Sequence, residues 1–203
     1  SKPNNIMKKH NFEQRTEEWE AIRVGRVGAS ESIGLTTPAR MKTLIWKKLA
    51  EILTGEQEDV YVTDAMQCGI DTEPIVIDLY EQSTFTAIDS VGYITNSVYP
   101  LLGLSPDGIH HNGEMEIEGA VEVKCPLPKK HVETIITNEV PGEYRPQLAQ
   151  YFLIIGDSLK WIDFISYNAK VKKKPMHVIR VTRTDLADDI EKLKKGYVKY
   201  SET

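Results

Sequence analysis

Ser105-Pro106-Asp107-Gly108 and, fifteen positions past that aspartate, Glu122 within Ala120-Val121-Glu122-Val123-Lys124-Cys125-Pro126 decide how this chain is read. The second segment alternates like a strand until Pro126 stops it, and a short apolar run, Tyr99 to Leu104, leads into the first. Both acids therefore fall at strand ends, with a lysine two residues after the second. Two carboxylates and a lysine brought together suit phosphodiester cleavage. A divalent cation held by Asp107 and Glu122 polarises the scissile phosphate, and Lys124 steadies an attacking water or the charge that develops on phosphorus. Ligands that are all oxygen favour Mg²⁺ or Mn²⁺ over zinc.

The acid-x-lysine triplet is weak alone, because a chain this rich in acids and lysines has about three by chance; this one has a single match. Either half, taken by itself, also fits an ordinary hairpin with a Pro-Asp-Gly turn and outward charges. The pair together, each at the end of an apolar run, outweighs that reading.

With 203 residues, 40% hydrophobic and 27% charged, the composition suits one domain with a real core, spanning 1–203. Met7-Lys8-Lys9 reads as a natural start, so residues 1–12 are expected to be loose and partly foreign to the fold. No run approaches 18 apolar residues and no basic-then-apolar leader opens the sequence, so a cytoplasmic protein with no membrane partner is expected. Cys68 and Cys125 are too few for a disulfide framework, a zinc ribbon or a four-cysteine cluster, and read as packed thiols. The net charge of −5 is awkward for a nucleic-acid partner. Its distribution softens the objection: Lys160 to Thr203 carries eleven basic against six acidic residues. Lys170 to Lys174 and Lys192 to Lys199 could track a phosphate backbone or simply be a solvated turn and helix face.

Along the chain, Thr16 to Val24 reads as a short helix carrying Trp19 and Ile22 inward. It is followed by Gly25-Arg26-Val27-Gly28-Ala29-Ser30, where Ser30 can cap the next helix beside an anion. Arg40 to Thr54 has helical apolar spacing ended by Gly55. Ala65 to Gln82 is a second helix, with Pro74 marking an early start or a kink. There Glu73 shares a face with Ile70, Ile77 and Tyr80, where an ionised carboxylate is costly unless a partner such as a metal is present; a solvent-edge glutamate is the other reading. Phe85 to Ile94 and Val98 to Leu104 read as strands. A polar hairpin, His110 to Gly119, joins the two acid-bearing segments, and its paired histidines are expected to be solvated rather than ligands. Helices at Lys129 to Asn138 and Tyr144 to Ile155, strands at Lys160 to Tyr167 and Met176 to Val181, and a helix from Leu186 close the chain. The order implies an α/β fold, a mixed central β-sheet flanked by helices.

The motifs Glu13-Gln14-Arg15-Thr16-Glu17-Glu18-Trp19 with Arg23, Gly28-Ala29-Ser30, Gly69 with Glu73, Ser105-Pro106-Asp107-Gly108, Glu122-Val123-Lys124-Cys125-Pro126 and Tyr144-Arg145-Pro146-Gln147-Leu148-Ala149-Gln150 occur in this order. Together they resemble the lambda-exonuclease-like (YqaJ-type) viral recombinase nucleases of the PD-(D/E)xK superfamily. The resemblance covers roughly two-thirds of the chain, and it implies a PD-(D/E)xK restriction-endonuclease-like core. It further implies a Mg²⁺-dependent exonuclease, with Mn²⁺ substituting and two ions per site, that digests one strand of double-stranded DNA from a 5′ end. The 3′ overhang left behind would go to a single-strand annealing protein, and the family's assembly is a homotrimeric ring. By position, Asp107, Glu122 and the Val123 carbonyl would hold metal, with Glu73 as a further metal-proximal acid. Lys124 and Gln147 would position the attacking water, and Arg23 and Ser30 would form a 5′-phosphate pocket. The Asp107-to-Glu122 hairpin is longer than in lambda exonuclease, and Asn96-Ser97 stand where that enzyme has another aspartate, so no site role is assigned there. The alternatives are another superfamily nuclease, an endonuclease or a RecB-like one, and a non-catalytic DNA-end-binding module.

Overall fold

The computed structural model describes residues 6–58 and 61–203; the expectation for residues 1–5 lies outside them. In chain order the elements are β1 (Met7–His10), α1 (Glu17–Arg23), a 3₁₀ helix (Ala29–Leu35), α2 (Pro38–Thr54), α3 (Asp64–Thr84), β2 (Tyr93–Asn96), β3 (Gly108–His111), β4 (Ile117–Lys124), α4 (Pro128–Thr137), a 3₁₀ turn (Gly142–Tyr144), α5 (Arg145–Ile155), β5 (Trp161–Tyr167), β6 (Met176–Thr182) and α6 (Ala187–Ser201). The main sheet runs β3-β4-β5-β6, and β1 and β2 form a separate antiparallel pair. Within that main sheet, β4 and β5 are parallel and the other pairs are antiparallel. A parallel connection needs a long crossover, supplied by α4 and α5. The expected mixed sheet flanked by helices is therefore the observed architecture.

The helices start and stop where local chemistry says they should. Thr37 and Thr63 cap α2 and α3 by accepting main-chain N–H groups, and Gly55 ends α2 in the left-handed region at φ 78°. Pro74 lies inside α3, ten residues after Asp64, so it marks no early start. One sheet face packs Ala120, Ile162, Phe164 and Ile179 under α5, with α6 outside it. The other packs Val121, Val123 and Ile165 against Val76 and Tyr80 of α3. Strand alternation thus sends Val121 and Val123 to α3 and Glu122 to α5.

Several expectations are corrected. Met7–His10, expected to be loose, is a strand paired with Tyr93–Asn96. Phe85 to Ile94 is mostly loop. Phe85 ends α3 at φ 56°, the Glu81 carboxylate takes the Ile88 N–H, and Asp89 makes a single bridge to Ile109. Val98 to Leu104 is turns and isolated bridges in place of a strand: Asn96 binds the Val98 N–H through its side chain and the Tyr99 N–H through its carbonyl, and Leu102 and Leu104 make single bridges to Val27 and Ile94. The histidine pair belongs to β3, not to a solvated loop: His110 bonds the Ala87 carbonyl, and His111 bonds Asp89. Ser30 is exposed and caps nothing; Gly28 precedes the 3₁₀ helix and gives its N–H to Glu31. Cys125 is half-buried, but Cys68 is exposed.

Candidate active site

Gly108 opens β3 opposite Val121, so β4 continues through Glu122, Val123 and Lys124 with no strand on that edge. Gly108 is required there, because a side chain would overlap Ile88. Asp107 stands just before β3 and faces the open edge, where its Oδ2 accepts the Val123 N–H at 2.7 Å. A strand residue points its N–H and C=O the same way, so the Val123 carbonyl faces that edge too. Glu122 is 3% exposed. Its Oε1 accepts from Gln147 Nε2 at 2.8 Å and from Lys124 Nζ at 3.1 Å, and its Oε2 accepts from the Tyr151 hydroxyl. Glu73 comes from α3, on the other face of the sheet, and lies within hydrogen-bonding reach of Asp107.

Burial and the neighbouring charges of Glu122 and Glu73 push the Asp107 carboxyl well above the usual range. Burial also raises Glu73, with Arg15 opposing and Glu122 reinforcing the effect. For Lys124, burial favours the neutral amine, yet Glu122 and Asp107 beside it hold its pKa above that of an ordinary lysine. Lys124 is therefore an ammonium, suited to stabilising negative charge and not to accepting a proton. Burial and Glu122 hold the Tyr151 hydroxyl protonated, so it is a fixed donor.

Three carboxylates crowded in a buried setting are the arrangement a cation relieves. The donors are all oxygen, which fits a hard divalent ion. Among the described residues no three His, Cys, Asp or Glu side chains are arranged to hold an ion by themselves. A cation at Asp107 and Glu122 therefore needs the Val123 carbonyl or water to complete its shell.

Two clefts meet at Glu73. One, about 680 Å³, runs past Gln14, Arg15 and Asp107; the other, about 320 Å³, runs past Lys124, Pro126 and Tyr144. The structure brings Glu73, Asp107, Glu122, Val123, Lys124 and Gln147 together. Arg23 and Ser30 stand apart from that cluster. The Arg23 guanidinium lies 3.7 Å from the centre of the Trp19 ring, and the Trp19 indole donates to Ser105 Oγ at 2.9 Å. This contact chain leads to Asp107, while Ser30 sits exposed in the 3₁₀ helix.

Sequence reasoning missed three contributors. Tyr151 reads as part of an apolar helix stripe, although its position four after Gln147 puts both on one helix face. Gln14 donates to the Pro106 carbonyl at 2.9 Å and so fixes the approach to Asp107. Arg15, at φ 64°, supplies positive charge to Glu73. Both lie in a quoted motif, but nothing in their spacing from Asp107 reveals the contact.

The family profile described as YqaJ-like viral recombinase domain matches residues 18–158. The alkaline exonuclease LHK-Exo from Laribacter hongkongensis, also solved in complex with dAMP, superposes with a TM-score of 0.78 at 28% identity, over 92% of this chain and 93% of that one. A phage-related exonuclease from Haemophilus somnus 129PT shares the fold alone, with a TM-score of 0.54 at 13% identity over 86% of this chain and 92% of that one. No curated protein matches.

Proposed function

The chain belongs to the YqaJ-like viral recombinase family, and from that membership we propose that it is a Mg²⁺-dependent exonuclease acting on the ends of double-stranded DNA. It degrades the 5′-ended strand and leaves a 3′ overhang for a single-strand annealing protein. The observation that carries this reading is the convergence of Asp107, Glu122, Glu73 and Lys124 on the open edge of β4. A relative of similar length binds dAMP, in keeping with a site that releases a deoxynucleoside monophosphate.

Asp107, Glu122 and the Val123 carbonyl would hold the cation, and Glu73 would serve a second ion. The chemistry that Mg²⁺, or Mn²⁺ in its place, would supply there is polarisation of the scissile phosphate and activation of water as a nucleophile. Lys124 offers its ammonium to the charge developing on phosphorus. Gln147 and Tyr151 hold the Glu122 carboxylate in one orientation. Arg23, with Ser30 as the weaker arm, receives the terminal 5′-phosphate. A homotrimeric ring around the duplex belongs to the same reading.

The test compares 5′-phosphorylated linear duplex with nicked and covalently closed circles in Mg²⁺. Mononucleotides from the linear substrate and an untouched closed circle are expected. Cuts in the closed circle would make the protein an endonuclease of the same superfamily. Binding to ends with no hydrolysis in either metal would leave only the end-binding module.

A further inference from the structure

Because β4 and β5 are parallel, they finish at the same end of the sheet, and that end is the one bearing Lys124 and the carboxylate cleft. The chain leaves β5 there and turns back into β6 through Asn168 to Pro175. Lys170, Lys172, Lys173 and Lys174 lie in this turn, and all four are exposed. None of them forms an ion pair with a described residue.

The turn is held in place, unlike an ordinary solvated loop. The Asn168 N–H bonds the Pro175 carbonyl at 2.8 Å, and the Asn168 side chain accepts the Lys170 N–H at 2.9 Å. Its amide donates to the Pro126 carbonyl at 2.8 Å, two residues past Lys124. From the other side the buried His131 ring bridges Ser166 Oγ at 2.7 Å and the Lys174 carbonyl at 2.8 Å. Pro126 itself lines the cleft shared by Glu73 and Lys124. In a chain of net charge −5, unneutralised positive charge is thus fixed at the mouth of the site where a polyanion would enter.

We propose that the Lys170–Lys174 turn is a phosphate-backbone contact that holds double-stranded DNA at the mouth of the carboxylate cleft. This rests on the nuclease reading. Lysines act as hydrated point charges rather than as forks that read bases, so the contact serves affinity and alignment and is indifferent to sequence. Each lysine that meets a phosphate displaces a counterion, which makes its contribution readable in the salt dependence of binding.

The experiment measures binding of a 5′-phosphorylated blunt duplex by fluorescence anisotropy across a salt series, in an Asp107→Asn background so that the substrate persists. Lys172→Ser/Lys173→Ser removes two positive charges at the turn. Lys160→Glu changes the net charge equally, but it does so at the start of β5, roughly 20 Å away by strand rise. The turn variant is expected to reduce the slope of log K against log salt by about 2, while Lys160→Glu leaves the slope unchanged. Equal effects from both, or no change at the turn, overturn the proposal and leave the nuclease reading standing. A background protein that does not bind the duplex at all removes that reading, and the proposal falls with it.

Discussion

At the scale of single residues the site works against its own stability, and Asp107 shows the cost most plainly. Burial and two neighbouring carboxylates raise its pKa in the fold, so the folded chain binds its proton more tightly than the unfolded chain, where the value is about 3.9. Its favourable contribution is then complete below that unfolded value and is lost as pH rises through the folded one. In chelator, the melting temperature should fall as pH rises through that window, and Asp107→Asn should flatten the dependence and raise the melting temperature near neutrality. The same substitution should abolish hydrolysis while leaving duplex binding intact or stronger, because repulsion of the phosphates is reduced. Active Asp107→Asn protein, or an unaltered pH dependence of melting, counts against the assignment. Tyr151 is the complementary case, a donor the site has to keep. Tyr151→Phe leaves the buried Glu122 Oε2 without its partner and should cost about 10- to 100-fold in rate or in Mg²⁺ affinity. Wild-type rates and metal dependence in this variant would reduce Tyr151 to a packing residue.

At the scale of elements, α3 carries Glu73 over the sheet and has one polar anchor in an otherwise apolar contact. The Tyr80 hydroxyl donates to Asp163 Oδ2 at 2.5 Å, and Arg180 grips both oxygens of the same carboxylate at 2.8 and 2.9 Å while lying over the Trp161 ring. Asp163 is buried at 2% exposure, so this anchor fixes the rotation of α3 as apolar contacts alone would not. Tyr80→Phe should keep the fold yet raise the Mg²⁺ concentration needed for half-maximal rate, and combining it with Glu73→Gln should add little. Strict additivity would show that the anchor does not act through Glu73. The elements legible in the sequence are those whose pattern is local. Gly55 closes α2, alternation marks β4, and the stripe through Leu148 and Phe152 marks α5. β1 was illegible because Met-Lys-Lys-His has no apolar alternation and is a strand only through its pairing with β2. Tyr99 to Leu104 has the composition of a strand, but its N–H groups go to scattered partners, Tyr99 to Asn96, Leu102 to Tyr99, Gly103 to Val27 and Leu104 to Ile94, so no continuous ladder forms. In the site, Asp107, Glu122 and Lys124 were legible from residue type and order. Gln14, Arg15 and Tyr151 were not, since their contacts exist only once distant segments meet.

At the scale of the whole molecule, the proposed exonuclease reading has to account for how a chain of net charge −5 would engage a DNA end rather than any stretch of duplex. A terminal phosphate carries nearly two negative charges at neutral pH, so a cation placed to meet it distinguishes an end from the interior. We propose Arg23 for this role. Its guanidinium rests on Trp19, whose indole holds Ser105 just ahead of Asp107, so an end bound at Arg23 is registered mechanically against the carboxylates. Only 28% of its side chain is exposed, and among the described residues its carboxylate partner is Glu20 at 3.7 Å, a loose pair that a phosphate can displace. Ser30, exposed on the 3₁₀ helix, adds at most a hydroxyl. A 5′-hydroxyl duplex should therefore be degraded much more slowly than a 5′-phosphorylated one under single-turnover conditions. Arg23→Ala should erase most of that difference, and Ser30→Ala should erase less. The variant proteins should melt near the wild-type temperature and bind Mn²⁺ as before, since neither residue touches the carboxylates. If the wild type degrades both substrates equally, Arg23 is not an end-recognition residue, and a superfamily nuclease that does not need a phosphorylated end becomes the better account of the same carboxylate site.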